Sequence, residues 1–93
     1  MGKDKLFVAI EFNMNGKYKI TGDVKKEKRI DIISEFVRGQ AGKRKDKRKA
    51  NKKDIYHIKI EWNPDMDVFT CTDDTGNFGL RDGILLTILS KEK

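Results

Sequence analysis

The chain reads as an α+β protein: two tandem ββα units forming a four-stranded antiparallel sheet, with both helices on one face. Three observations predict this. Two stretches alternate apolar and polar residues around hairpin turns, each is followed by an apolar arc at helical spacing, and the second set repeats the first. At 93 residues the chain suits a single hydrophobic core, with a ββα half at 4–38, a flexible basic linker at 39–53 and a second ββα half at 54–93.

The first strand places Leu6, Val8, Ile10 and Phe12 on one side and Phe7, Ala9, Glu11 and Asn13 on the other. Asn15-Gly16 then supplies the dipeptide most favoured in tight hairpin turns, after which Tyr18 and Ile20 resume the period of two. From about Lys28 the period changes. Ile30, Ile32, Ile33, Phe36 and Val37 fall within one arc of a helix that Gly39 is placed to end. Beyond the linker, Tyr56, Ile58, Ile60 and Trp62 alternate, Asn63-Pro64-Asp65 turns, and Phe69 and Cys71 continue the apolar side. Leu80, Ile84, Leu85, Ile88 and Leu89 make the last apolar arc, with Gly79 and Gly83 weakening its first turn. Leu86 lies past that arc and gives a homodimer contact its only sequence support.

The repeat can be written residue by residue. Ile10-Glu11-Phe12-Asn13 matches Ile60-Glu61-Trp62-Asn63 at an offset of 50, and Tyr18 to Thr21 matches Phe69 to Thr72 at 51. Asp23 then falls on Asp74, and at an offset of 52 Arg29, Phe36 and Val37 fall on Arg81, Ile88 and Leu89. The drift of two residues is what two small insertions in turns produce, so an internal duplication is expected.

The net charge of +6 is unevenly placed. Lys43, Arg44, Lys45, Lys47, Arg48, Lys49, Lys52 and Lys53 stand against Asp46 alone, which leaves that segment at +7 and the rest of the chain at −1. With Ala41 and Ala50 as its only apolar residues, the linker cannot bury enough surface to offset its ordering entropy. Its lysines outnumber its arginines, which suits diffuse attraction to phosphate better than bidentate reading of bases. No aromatic residue interrupts it, so the linker itself does not stack bases.

Motifs that would name a chemistry fail on context. Asp74-Thr75-Gly76 spells the aspartic-protease tripeptide, but polar Thr72, Asp73 and Asn77 flank it where those enzymes need apolar strand residues. It reads as a strand-to-helix turn in which Asp74 or Asn77 caps the helix. Asn63, Asp65 and Asp67 alternate as calcium-loop ligands do, yet Val68 occupies the position that requires glycine. His57 sits on the polar side of a strand with no nucleophile in sequence reach, and Cys71 sits beside Phe69 on the apolar side as a buried thiol. The outer sheet face offers Phe7 alone among aromatics and lacks the RNA-recognition signature.

A lone cysteine excludes an intramolecular disulfide, no apolar run reaches the length of a signal peptide or membrane span, and a cytoplasmic location is expected. The expected function is non-enzymatic binding of DNA or RNA, with little sequence specificity, through the eight cations from Lys43 to Lys53 and without metal or cofactor. The alternative, from a different class, is a protein-interaction module or small inhibitor docking through the acidic hairpin between Glu61 and Asp82 or through an exposed helix face.

Overall fold

The computed structural model describes residues 5–40 and 47–92. Six elements follow one another: β1 (Leu6–Asn13), β2 (Tyr18–Gly22), α1 (Lys26–Gln40), β3 (Ile55–Asn63), β4 (Val68–Asp73) and α2 (Phe78–Glu92). The strands form one antiparallel sheet in the order β2-β1-β3-β4, and the class is α+β. The two inner strands are β1 and β3. They pair over eight residues, from Leu6 opposite Trp62, through Ala9 opposite Lys59, to Asn13 opposite Ile55.

The alternation in sequence becomes the division between core and surface. Val8, Ile10 and Phe12 of β1 and Tyr56, Ile58 and Ile60 of β3 are buried in one cluster with Ile32, Ile33, Phe36 and Val37 of α1 and Ile84, Leu85, Ile88 and Leu89 of α2. Tyr18, Ile20, Val24, Trp62, Phe69 and Cys71 pack around it half-buried. Leu86 is exposed, as its place outside the helical arc requires.

Two boundaries differ from the pattern in the sequence. The helix α1 begins at Lys26 and runs through Gly39 to Gln40. Gly39 is not in the left-handed conformation that a terminating glycine adopts, so its lack of a side chain weakens the helix there without stopping it. The helix α2 starts at Phe78, one residue after Asn77, whose Oδ1 accepts the Leu80 N–H at 3.0 Å. Asn77 is therefore the N-cap.

Residues 50 or 51 positions apart make like bonds. In the hairpin turns, Asn13 Oδ1 accepts the N–H of Asn15, and Asn63 Oδ1 that of Asp65, both at 3.0 Å. Just past β2, Asp23 accepts the Phe7 N–H through Oδ1 and donates its own N–H to the Phe7 carbonyl. Just past β4, Asp74 exchanges the same two bonds with His57. The ring pairs Phe12–Tyr18 and Trp62–Phe69 stack at 6.4 and 6.1 Å between centroids. Arg29 and Arg81 diverge in detail. Arg29 donates to the carbonyls of Ile20, Gly22 and Val24, whereas Arg81 is buried against the rings of Phe36 and Phe78 with its Nε on Asp82.

One close approach decides a residue. A Cβ on Gly22 would lie 2.6 Å from the Phe7 carbonyl oxygen, a backbone atom already bonded to Asp23. Strand β1 cannot yield there without breaking its pairing with β3, so Gly22→Ala is expected to destabilise the protein by about 2 kcal/mol. A denaturant melt checks it, and an unchanged midpoint would show that the β1–β2 edge is softer than this packing requires.

Candidate nucleic-acid interface

Five of the eight arm cations lie within the described residues: Lys47, Arg48, Lys49, Lys52 and Lys53, all exposed. Lys43, Arg44 and Lys45 lie outside them, as does Asp46. The segment that carries them is attached to the domain. Between them stands Asn51, whose N–H donates to the Thr75 carbonyl at 2.8 Å and whose Nδ2 donates to the Asp74 carbonyl at 3.1 Å. Its own carbonyl accepts the Tyr56 hydroxyl, which in turn accepts the Lys53 N–H at 3.2 Å. Upstream, the Arg48 carbonyl accepts Asn77 Nδ2 and the guanidinium lies 6.0 Å from the Phe78 ring centroid.

The loop between β4 and α2 is shaped to receive this segment. Gly76 has φ +69°, a left-handed conformation suited to glycine, and a Cβ on it would meet Asn51 Nδ2 at 2.7 Å. Thr75 is fully buried, its hydroxyl donating to Asp73 and accepting from the Asn77 N–H, which fixes the carbonyl that Asn51 uses. Low apolar content describes the linker correctly, but polar anchoring needs no apolar area. Asn51, flanked by Ala50 and standing between two groups of cations, is the signal a reading of charge alone passes over.

Asp74 does not cap α2. Its Oδ1 takes the His57 N–H at 2.8 Å, while Oδ2 lies 3.1 Å from His57 Nδ1 and 3.4 Å from Lys53 Nζ. Burial by itself pushes the Asp74 carboxyl upward in pKa, but the backbone and ring of His57 together with Lys53 outweigh it and hold the group below the usual carboxylate range. A lowered folded pKa adds stability above the unfolded value, near 3.9, which is lost as pH falls through the folded one. The stability gap between the wild type and Asp74→Asn is therefore expected to narrow as pH drops from about 5 to about 2. Paired thermal melts across that window check it, and a gap independent of pH would assign Asp74 a role through shape alone.

On the outer sheet face, Ala9, Glu11, Lys19, Thr21, His57 and Lys59 border an open concavity of about 690 Å³. His57 faces carboxylates on both nitrogens, Asp74 at Nδ1 and Glu11 3.6 Å from Nε2. Lys59 pairs with Glu61 at 3.4 Å and lies 5.1 Å from the Phe7 ring centroid. His57 and Lys59 thus stand beside carboxylates of the same face. Cys71 is half-buried, and desolvation pushes its thiol up to about 11, leaving little thiolate at neutral pH. Among the described residues no group of three His, Cys, Asp or Glu side chains is placed to hold a metal ion, and no helix is long and apolar enough to cross a membrane. Comparison with known proteins matches the chain to no protein family, no curated protein and no solved structure.

Proposed function

We propose that the protein is a non-enzymatic nucleic-acid-binding domain that engages phosphates through the segment from Lys43 to Lys53, with little preference among sequences. The carrying observation is the separation of charge: +7 in eleven residues against −1 in the remainder. Its described cations are exposed, and the segment is tied to the domain at its middle. Phosphate neutralisation needs exposed cations and no shaped pocket, so such an arm binds duplexes or single strands of any sequence.

The acidic hairpin favours the rival reading less. Glu61 faces Lys59, Asp67 accepts from the Trp62 indole, Asp73 from Thr75, Asp74 from His57, and Asp82 from Arg81. Acids already partnered within the domain attract a basic protein weakly.

The scaffold holding the arm is, on this proposal, a duplicated ββα unit with both helices over one sheet face. Two features support it. The β1–β3 register maps onto itself when the halves are exchanged: an offset of 50 turns Ala9 opposite Lys59 into the same pair, and Leu6 opposite Trp62 into Tyr56 opposite Phe12. The core residues of both helices also join a single cluster with the inward residues of the inner strands.

The test is a salt titration of binding to mixed-sequence oligonucleotides. If about five cations engage duplex DNA, log affinity falls against log salt with a slope of roughly −4 to −5, equivalent to about 500-fold between 50 and 200 mM. No binding at low salt, or binding indifferent to salt, refutes the proposal and turns attention to a protein partner.

A further inference from the structure

The bases of a flexible single strand are gripped by stacking on vacant aromatic faces, so the eight aromatic rings of the chain bear on which nucleic acid it prefers. Phe12, Phe36 and Tyr56 are buried. Every other ring is faced from within the protein. Lys59 lies over Phe7 at 5.1 Å, Lys91 over Tyr18 at 5.8 Å, Lys28 over Trp62 at 4.9 Å and Arg81 over Phe78 at 4.8 Å, while Phe69 stacks on Trp62. A base seeking one of these covered faces must first displace the cation or ring already there.

The arm points the same way. Asn51 is fixed by its N–H, its side-chain amide and its carbonyl, and Gly76 leaves the space it occupies. Lys47 and Lys49 on one side and Lys52 on the other are exposed around this fixed point. Residues 47–53 span at most about 24 Å when extended. A duplex offers about one phosphate per 1.7 Å of axis, hence about 14 over that length, on a stiff frame. Cations whose backbone is already ordered lose less entropy on meeting a phosphate array that is ordered too.

We infer that the partner is double-stranded nucleic acid, held through its phosphates by an arm clipped in place at Asn51. The inference rests on the proposed function above and narrows it. The clip adds no charge, so its contribution is separable from that of the cations: Asn51→Ala removes the side-chain bond to Asp74 and leaves every lysine and arginine in place.

The experiment measures affinity for a 20-base-pair mixed-sequence duplex and for each of its separated strands at one ionic strength, using the full chain, Asn51→Ala and Asn51→Ser. The wild type should bind the duplex about tenfold more tightly than either strand, from the higher phosphate density and the stiffness of both partners. Both variants should lose about fivefold on the duplex, change little on the strands, and keep the wild-type salt slope because the phosphate contacts are unchanged in number. Melting temperatures identify any loss due to unfolding, which would also remove strand binding, and the better-folded variant then decides. Equal or tighter binding to the separated strands overturns the inference, as does undiminished duplex binding by both folded variants, and either result leaves the broader function standing. Failure of the wild type to bind any of the oligonucleotides removes both.

Discussion

Replacing Lys43, Arg44, Lys45, Lys47, Arg48 and Lys49 by Ser or Gln is expected to weaken nucleic-acid binding by two to three orders of magnitude at about 50 mM salt and to flatten its salt dependence. These six are most of the arm's eight cations. Lys52 and Lys53 remain, and Lys53 stays 3.4 Å from Asp74, so the variant has few cations left to exchange for counterions. All sequences should suffer alike, because the missing interactions are with phosphate and carry no base information. The melting temperature should hardly move, since Lys47, Arg48 and Lys49 are exposed and Asn51 keeps its anchors. Affinity measurements on two unrelated sequences, alongside a thermal melt, check all three expectations. A variant that binds like the wild type would place the interface elsewhere, and the concavity around His57 and Lys59 would be the first place to look.

Leu85→Ala should have the largest effect on stability. Leu85 is fully buried and joins the cluster in which α1, α2, β1 and β3 meet. Truncation removes its transfer free energy and leaves a cavity that rigid strands cannot close, a loss of about 3 kcal/mol. That is a large share of the roughly 5–15 kcal/mol typical of a small domain. Truncating Leu86, next in sequence but exposed, should change stability by less than about 0.5 kcal/mol. Denaturant melts of the two variants compare buried and exposed leucine on one helix. Similar losses from both would mean that Leu86 is covered in solution, as a second copy of the chain would cover it.

The fold was legible where periodicity is unambiguous. Val8, Ile10 and Phe12 announce a half-buried strand because side chains on a pleat alternate, and Ile32, Ile33, Phe36 and Val37 announce a helix by their spacing. The segment from Ile84 to Leu89 is rich in residues that also suit strands, and it is helical, as its alignment with the first apolar arc predicts. Boundaries were less legible. Gly39 carries a terminator's chemistry without a terminator's backbone, because what ends a helix is a left-handed turn and only coordinates reveal which glycines adopt one. At the candidate site, charge gave the cations and missed their mounting. The bonds from Asn51 to Thr75 and Asp74 join residues more than twenty positions apart, and neither composition nor period encodes such a pairing. The same limit hid the meeting of His57 with Asp74 and Glu11, which depends on strand register.

The strand order has a kinetic consequence. Each hairpin can form from neighbours in sequence, but the inner seam joins residues separated by 42 positions, Asn13 with Ile55, to 56 positions, Leu6 with Trp62. Such distant pairing makes the seam the slow event in folding, and the arm lies inside the loop that must close. Loop entropy grows only with the logarithm of length, so the fifteen residues from 39 to 53 add about 0.4 kcal/mol to that closure. Their mutual repulsion adds to the barrier most when counterions are scarce, so the domain should assemble faster as salt rises from low ionic strength, the same change expected to weaken the proposed contacts with phosphate.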